Sequence, residues 1–459
     1  YSTTSKENVA RIIADFAKTI PEEKWVMGVG FRRMSWEDTS MPDAGTLDAV
    51  IADRPVFLMD EELHMAWLNS RGLQECGIDK NTEAPDGGII CRDEKGDPTG
   101  VLLENAVALA AKHAFEFDKK TVKKLIEGYI DKAVSLGITS VSDMTPYLSL
   151  DLSFPEVYFE MVSNNELKIR VNAARNLFED INTFNEIRQK ADLEGKGFYR
   201  VPYMKQFIDG TPANFTGMLL EDYSDNPGEK GKATIDLDKM AAAIETATEN
   251  NISVRLHSCG DRSCREAINA YENALKKFPE TESRHMVEHL ELVDPNDIPR
   301  FGQLGIICSI QPEHLAAGTM KWEENCYPEK LGPERERYTW PFKQLKDNGA
   351  VLAGGTDCPV VEGNLFWGMY AGNTRKYYDD IPEGGWNPQE KLTMPEMIDM
   401  FTSGAAYAEH RENELGTLEE GKLADITVVD RNLLELEENP DIRDTKVLLT
   451  MVDGRVVYS

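Results

Sequence analysis

The sequence predicts an α/β protein whose main part is a parallel (β/α)8 barrel, with a small β-sandwich beside it. From residue 120 onward, short apolar runs alternate with helical patterns of roughly 10–15 residues, which is typical of parallel β/α units. Seven runs are strand-like: residues 138–143, 167–172, 199–205, 252–257, 285–289, 305–310 and 350–357. Because a closed barrel needs eight strands, we expect its first strand to precede Tyr1.

The part before the regular repeats divides in two. Residues 1–52 hold a helical pattern from Asn8 and a strand pattern at residues 25–31, and we assign them to the start of the barrel domain. Residues 53–115 break the β/α rhythm with loops rich in Gly, Pro and Asp, which predicts an insertion or lid. Residues 116–411 then carry the regular units of the barrel.

The tail, residues 412–459, has a different character. Strand patterns at residues 421–430 and 447–458 flank an acidic loop, and Asp453-Gly454 predicts a tight hairpin turn. Two or three strands alone are marginally stable in water. We therefore expect the tail to be the C-terminal part of a small β-sandwich that strands preceding Tyr1 complete.

Composition and charge exclude several classes of partner. Hydrophobic residues make up 41% of the 459 residues, enough for a large core. The formal net charge of -30 disfavours nucleic acids and anionic membranes, since both are polyanions. No stretch approaches the ~20 apolar residues of a membrane span. The seven cysteines, without CxxC pairs, favour a reducing compartment, so we expect a cytoplasmic protein in which Cys259 and Cys264 are structural.

Four strand patterns end in residues that can bind metal or transfer protons: Lys205, His257, His289 and Asp357. In a parallel barrel the carboxyl ends of the strands meet at one mouth, where functional residues lie. A single histidine is more often a structural residue, and a single aspartate there usually caps the next helix. On successive strand ends, however, these residues predict a site for one or two divalent ions, zinc first, with iron and manganese as alternatives.

Such a site indicates hydrolysis. A bound metal lowers the pKa of its water toward ~7, and a carboxylate such as Asp357 can carry the released proton to the leaving group. For Lys205 the sequence leaves two interpretations open. Its ammonium could pair with a carboxylate such as Asp209, or the lysine could form a carbamate that serves as an anionic ligand.

Nine segments along nearly the whole chain form an ordered set of motifs. They are residues 60–70 (DEELHMAWLNS), 96–104 (GDPTGVLLE), 137–143 (GITSVSD), 205–210 (KQFIDG), 257–261 (HSCGD), 284–289 (RHMVEH), 311–314 (QPEH), 355–360 (GTDCPV) and 416–425 (GTLEEGKLAD). This set resembles the amidohydrolase superfamily and, more narrowly, the amidohydrolase-3 branch that includes N-substituted formamide deformylases.

The resemblance implies a deformed (β/α)8 barrel in which a metal-activated water attacks a C–N or related bond. It implies that His257 and His289 are metal ligands and that Asp357 is both a ligand and the carboxylate that shuttles protons. Lys205 corresponds to the lysine of the fourth strand, for which the resemblance favours the carbamate. A small β-sandwich made from both chain ends is also implied.

The sequence departs from the superfamily at the first strand, which there ends in His-x-His. Here no two histidines are separated by a single residue; the seven are His64, His113, His257, His285, His289, His314 and His410. We expect the motif to lie upstream of Tyr1, because the pieces not found are contiguous. Its loss would instead indicate an inactive relative that binds a small molecule.

Four further residues are candidates for contact with a small-molecule substrate. His64 lies in a segment similar to one that covers the superfamily's pocket, and Gln311 and His314 follow the seventh barrel strand. Arg375 follows the eighth strand and could bind a substrate carboxylate or pair with a surface acid. His285 lies deeper in its strand, away from the mouth, so we expect it to be structural.

We predict a metal-dependent hydrolase of an amide, formamide or other non-peptide C–N bond. A deaminase or lactonase on the same scaffold is the alternative, beside the inactive relative, because a fold does not fix its substrate. Large barrels of this kind often dimerise, so we also expect a homodimer.

Overall fold

The computed structural model describes residues 3–144, 152–316 and 320–459 and shows three β-sheets in that part of the chain. The largest is a seven-stranded parallel sheet. A five-stranded mixed sheet precedes it in the chain and a three-stranded antiparallel sheet follows it. No helix in these ranges combines the length and the apolar character that crossing a bilayer requires.

The five-stranded sheet is buried on both faces. Its strands are β1 (Val26–Phe31), β2 (Val56–Asp60), β3 (Met65–Leu68), β4 (Gly88–Arg92) and β5 (Pro98–Glu104), in the spatial order β1-β2-β3-β5-β4. The helices that cover it are α1 (Lys6–Ala17), α2 (Ala44–Asp48), α3 (Ser70–Glu75) and α4 (Ala108–Ala114). Leu58 packs with residues of α1 and α2, whereas Phe57 packs with residues of α3 and α4. Burial of both faces explains the continuous apolar pattern of β2.

β1 has a different neighbour from the one that we expected. It matches the strand predicted at residues 25–31, which we assigned to the start of the barrel. In the structure it pairs in parallel with β2, which lies in the segment predicted as an insertion. An apolar sequence pattern indicates that a strand is buried, but it does not identify the strand that lies beside it. The division of the chain into four parts stays a prediction.

The seven-stranded sheet consists of parallel strands in chain order, and it is curled. Its strands are β6 (Ser140–Asp143), β7 (Arg170–Asn176), β8 (Tyr199–Phe207), β9 (Ser253–Ser258), β10 (Met286–His289), β11 (Ile307–Ile310) and β12 (Leu352–Gly354). The seven predicted strands are thereby confirmed, although their ends differ by a few residues.

Helices alternate with these strands and follow them. They are α5 (Lys119–Ser135), α6 (Pro155–Ser163), α7 (Ile181–Glu194), α8 (Leu237–Glu249), α9 (Asp261–Lys277), α10 (Ile298–Leu304), α11 (Tyr327–Leu331), α12 (Phe342–Asp347), α13 (Leu365–Thr374), α14 (Met394–Asp399) and α15 (Ala405–Ala408). The carboxylates of Asp118, Asp180 and Asp236 accept first-turn N–H groups of α5, α7 and α8. Each such cap stabilises its helix by about 1 kcal/mol.

The two faces of the parallel strands differ in polarity. In β9, Val254 and Leu256 are fully buried in the apolar layer, and Arg255 lies on the opposite face. The Arg255 guanidinium lies 3.6 Å from the Tyr203 ring centroid, donates to Glu409 Oε1 at 2.5 Å and lies 4.0 Å from a Glu288 oxygen. Buried charges persist only when they are paired, so the inner face holds a paired ionic network.

The three-stranded sheet is fixed to the rest of the molecule by buried polar contacts. It comprises β13 (Ile426–Val429), β14 (Val447–Val452) and β15 (Arg455–Tyr458). Asp453 and Gly454, at φ values of 52° and 73°, form the predicted turn between β14 and β15. Arg170 of β7 donates two hydrogen bonds to Asp425, at 2.8 and 2.9 Å, and Thr450 donates to a carbonyl of α5 at 2.7 Å.

Candidate metal centre

Three residues of the predicted site come together where β10, β11 and β12 end. One ligand atom from each of His289, His314 and Asp357 lies within 4.8 Å of the other two. His314 Nε2 lies 3.6 Å from Asp357 Oδ2. Two imidazoles and a carboxylate at this spacing can hold a divalent metal. The sequence favours a substrate contact for His314, which lies four residues beyond the end of β11, and does not group it with the ligands.

The backbone at two of these residues is in the left-handed region. His289, the last residue of β10, has a φ of 76°, and Asp357, just beyond β12, has a φ of 58°. Non-glycine residues in this region cost of order 1–3 kcal/mol and cluster at functional sites. The strain is therefore a second indication that these strand ends form a site.

His257 lies beside this group, at the end of β9. Its ring centroid is 4.4 Å from that of His289 and 4.8 Å from that of Phe207. Its Nε2 atom lies 3.5 Å from Cys259 Sγ and 3.9 Å from Asp209 Oδ1. The structure thus brings His257 and His289 together as expected.

Burial keeps the imidazoles uncharged. Burial and the neighbouring charges of His289, His64 and Lys205 hold the pKa of His257 well below its usual range. Burial and the charges of His314 and Lys205 do the same for the pKa of His289. Within the three described ranges, His289 Nδ1 and His314 Nε2 take part in no hydrogen bond. Neutral imidazoles with free nitrogen atoms are what a metal requires.

Lys205 reaches the same interior from β8. Its side chain is buried, and its Nζ atom lies 4.3 Å from the Phe207 ring centroid. Burial lowers the pKa of Lys205 to about 8, although the carboxylates of Glu288 and Asp357 oppose this shift.

Of the two interpretations open for Lys205, the pairing with Asp209 disagrees with the contacts of that carboxylate. Asp209 accepts hydrogen bonds from the backbone N–H groups of Met218, Cys259 and Gly260, at 2.8, 3.1 and 2.9 Å, and from the Ser263 hydroxyl at 2.7 Å. Buried polar groups are hydrogen-bonded, and here the donors come from loops and from the first turn of α9. Burial raises the pKa of Asp209 to about 6. Its role is to fix the loop that follows His257.

His64 lies next to His257 and is paired with a carboxylate that the sequence analysis did not assign. The ring centroids of His64 and His257 are 5.0 Å apart, and His64 Nδ1 is 2.7 Å from Glu104 Oε2. Burial opposes the charged form, but the Glu104 carboxylate outweighs it and raises the pKa of His64 to about 9. Glu104 ends one of the nine motif segments, which is the signal that could have identified it.

Gln311 is close to the centre, whereas Arg375 is not in a position to bind a substrate. Gln311 donates to Ser309 Oγ at 3.2 Å and to Glu288 Oε2 at 3.5 Å. Arg375 is fully buried, and its guanidinium donates to three backbone carbonyls at 2.9, 3.1 and 3.3 Å. Neither the substrate contact nor the surface ion pair predicted for Arg375 agrees with these contacts.

His285 has the surroundings expected of a structural residue. Its Nδ1 atom accepts the Val254 N–H at 3.2 Å, and its Nε2 atom lies 3.1 Å from Thr248 Oγ1. Its ring stacks on Tyr271 with the centroids 4.6 Å apart. Burial lowers the pKa of His285 to about 3.

Known proteins resemble the chain over nearly its whole length. It is 28% identical over 469 residues to Protein LONG AFTER FAR-RED 3 of Arabidopsis thaliana, covering 99% of this chain and 77% of that protein. It is 24% identical over 462 residues to the N-substituted formamide deformylase of Arthrobacter pascens, covering 98% of this chain and 82% of that protein.

A solved structure and a family match complete the comparison. An uncharacterized metal-dependent hydrolase of Pyrococcus horikoshii OT3 has the same fold, with a TM-score of 0.71 and 22% identity over 95% of this chain and 82% of that one. Residues 1–458 match the amidohydrolase family, which confirms the resemblance seen in the motifs. The chain therefore belongs to the amidohydrolase family.

Proposed function

We propose that this protein hydrolyses an amide, formamide or other non-peptide C–N bond of a small molecule. The observation that carries the proposal is the grouping of His289, His314 and Asp357 within 4.8 Å of one another at parallel strand ends. The name of the Arthrobacter pascens relative, N-substituted formamide deformylase, supports a formamide as one substrate to test.

We propose Lys205, His257, His289 and Asp357 as the residues that hold one or two divalent ions. Zinc is the first choice for these ligands, and iron and manganese are alternatives. His314 lies within reach of the same position. When bound, the metal supplies a Lewis acid that lowers the pKa of its water toward ~7.

The carbamate is our proposal for Lys205. Its pKa of about 8 leaves part of the amine unprotonated near neutral pH, and the unprotonated amine is the form that adds to carbon dioxide. A buried lysine whose pKa is lowered in this way is suited to such chemistry. The carbamate would place an anionic ligand beside the uncharged imidazoles of His257 and His289.

Asp357 is the proposed proton carrier. Its side chain is 34% exposed, whereas His289 is buried, so Asp357 lies between the interior and the opening. It accepts the proton of the attacking water and returns it to the leaving nitrogen. His64, Gln311 and His314 bind the substrate, with the His64 imidazolium and the Gln311 amide as donors to a carbonyl oxygen.

For the larger architecture we propose a (β/α)8 barrel with residues 53–115 as an inserted lid and residues 412–459 as part of a small β-sandwich. Hydrogen bonds support the lid, because Asn214, in the loop after β8, donates to Asp60 and Glu62 at 3.1 Å each. A cytoplasmic homodimer is the proposed state. The seven free cysteines fit a reducing compartment.

Elemental analysis of protein expressed from the complete gene, combined with a substrate panel, tests the proposal. The panel holds N-substituted formamides, linear and cyclic amides, a lactone and an aminopyrimidine. We expect one or two bound metal ions, metal-dependent cleavage of a formamide or amide, and loss of both in His289→Ala. His113→Ala, on α4, is the matched control and should retain both.

The other outcomes are also decisive. Preferential opening of the lactone or deamination of the aminopyrimidine would replace the proposed reaction by one of its alternatives. A protein without bound metal and without turnover would contradict the proposal and leave the inactive, ligand-binding relative.

A further inference from the structure

His64 and Glu104 form a buried pair on the five-stranded sheet, at the edge of the candidate metal centre. His64 directly precedes β3 and Glu104 ends β5, and they are 4% and 2% exposed. Besides the 2.7 Å contact between His64 Nδ1 and Glu104 Oε2, the Glu104 N–H donates to the His64 carbonyl at 3.0 Å. The two residues are thus joined through both side chain and backbone.

The backbone of Glu104 is held in a conformation that non-glycine residues rarely adopt. Its φ and ψ values are 51° and -134°, outside the regions allowed to L-residues. Such conformations persist only where the surrounding structure determines them, and they occur mainly at functional sites. The strained backbone therefore indicates that the fold holds the Glu104 side chain in one particular direction.

A glycine makes room for the Glu104 carboxylate. A Cβ atom at Gly210, in the loop after β8, would lie 1.9 Å from Glu104 Oε1 and 2.3 Å from Thr216 Oγ1. Any other residue at 210 would therefore displace the carboxylate or the hydroxyl. The loop that follows Lys205 and Asp209 is thus shaped to admit the pair from the neighbouring sheet.

The orientation of His64 follows from these contacts. Because Nδ1 is bonded to Glu104, Nε2 is the nitrogen that remains for a ligand. The ring lies 5.0 Å from that of His257 and 6.1 Å from that of Phe207, measured between centroids. The side chain is therefore directed from the five-stranded sheet into the mouth of the seven-stranded sheet.

We propose that Glu104 is a positioning residue for His64 and directs its Nε2 atom toward the substrate. This inference rests on the proposed hydrolysis of a carbonyl compound and adds a residue to it. Glu104 itself does not touch the substrate. It fixes the direction of the His64 ring, as carboxylates do for histidines at many catalytic sites.

The test uses a spectroscopic signal that needs no substrate. In protein labelled with ¹⁵N in its seven histidines, His64→Gln assigns the His64 resonances. We expect a hydrogen bond at His64 Nδ1 in the wild type. Glu104→Gln should shift the His64 signals and leave those of His285 and His410, outside the site, unchanged. Glu116→Gln, at an exposed position, controls for the loss of one charge.

A second variant perturbs the pair of His64 and Glu104 through the loop after β8. Gly210→Ala introduces a methyl group against the Glu104 carboxylate without altering either partner, so it should shift the same His64 signals. Thermal melting of each variant shows that it is folded. On the amide or formamide that is cleaved fastest, we expect kcat/KM to fall about 10- to 100-fold in Glu104→Gln, with most of the change in kcat.

The outcomes separate this inference from the proposed function. Unchanged His64 signals in a folded Glu104→Gln protein would overturn the positioning role. Shifted signals with unchanged kcat/KM would overturn it as well, because Glu104 would then be merely structural. Shifted signals in a protein that cleaves none of the panel would support the positioning of His64 and contradict the hydrolase.

Discussion

A substitution of Asp357 should distinguish its proposed role in metal binding from its proposed role in proton transfer. Asn has the same size as Asp but cannot accept the proton of the attacking water. In Asp357→Asn we expect kcat to fall by about 10²- to 10⁴-fold, the usual contribution of acid–base catalysis, with a smaller change in KM. Steady-state kinetics with metal analysis measure both. Asp53→Asn, at an exposed position, is the control, and an unchanged kcat would exclude Asp357 as the proton carrier.

His285 should make the stability of the protein depend on pH. Burial lowers the pKa of His285 to about 3, whereas an unfolded chain has a His pKa of about 6.5. The unfolded state therefore binds the proton more tightly, and the stability present above pH 6.5 is lost as the pH falls toward 3.

We expect His285→Gln to be less stable than the wild type at pH 7. The difference in unfolding free energy between the wild type and His285→Gln should be about 2 kcal/mol smaller at pH 5 than at pH 7. The reason is that the wild type loses ~1.4 kcal/mol of stability for each pH unit below 6.5. Urea unfolding at the two pH values measures this change. His113→Gln serves as the control, and a difference that does not depend on pH would show that His285 is not buried in its neutral form.

Among the structural elements, the three-stranded sheet is the one whose attachment can be tested by a single substitution. The side chains of Arg170 and Asp425 are 3% and 4% exposed, and Asp425→Ala would leave a buried guanidinium with Asp453 alone at 3.3 Å. Removing one partner of such a pair costs about 3 kcal/mol. Faster amide hydrogen exchange in β13, β14 and β15, with β6–β12 unaffected, is the expected result.

Glu420, at an exposed position shortly before β13, provides a control. Glu420→Ala should leave the exchange pattern unchanged, because an exposed charge contributes little to stability. Equal effects of the two substitutions would mean that the Arg170–Asp425 pair does not anchor the sheet.

At the scale of elements, the sequence predicted what depends on local pattern. The seven parallel strands could be identified because each is a short apolar run between helical patterns. β1 has the same kind of run, but its pairing with β2 depends on contacts that no local pattern encodes. The hairpin at Asp453-Gly454 was predictable because two positive φ values favour this pair of residues.

Dependence on local sequence pattern also explains which residues of the site could be predicted. Lys205, His257, His289 and Asp357 lie at or near the ends of their strands, so the topology of parallel strands brings them together. Arg375 instead caps α13 with a φ of 60°, and its guanidinium is buried against carbonyls. The contact between His64 and Glu104 depends on the antiparallel pairing of β3 with β5, 40 positions apart in the chain.

For the whole molecule, the formal net charge of -30 is the dominant long-range term. Repulsion among like charges opposes the compact state, and salt screens it as the Debye length falls from ~30 Å at 0.01 M to ~8 Å at 0.15 M. We therefore expect the melting temperature to rise between these two concentrations of sodium chloride. Choline chloride should have the same effect if screening is the cause, and a fall in melting temperature would show that salt-sensitive ion pairs outweigh the repulsion.

The ionic network inside the curled sheet also limits how such a protein can change during evolution. Arg255, Glu288 and Glu409 come from β9, β10 and the region after α15, and each neutralises charge on another. Loss of Arg255 would leave two buried carboxylates without their counterion. A replacement of Arg255 should therefore be accompanied by replacement of both glutamates, so these three positions should covary among related chains even though none of them touches the substrate.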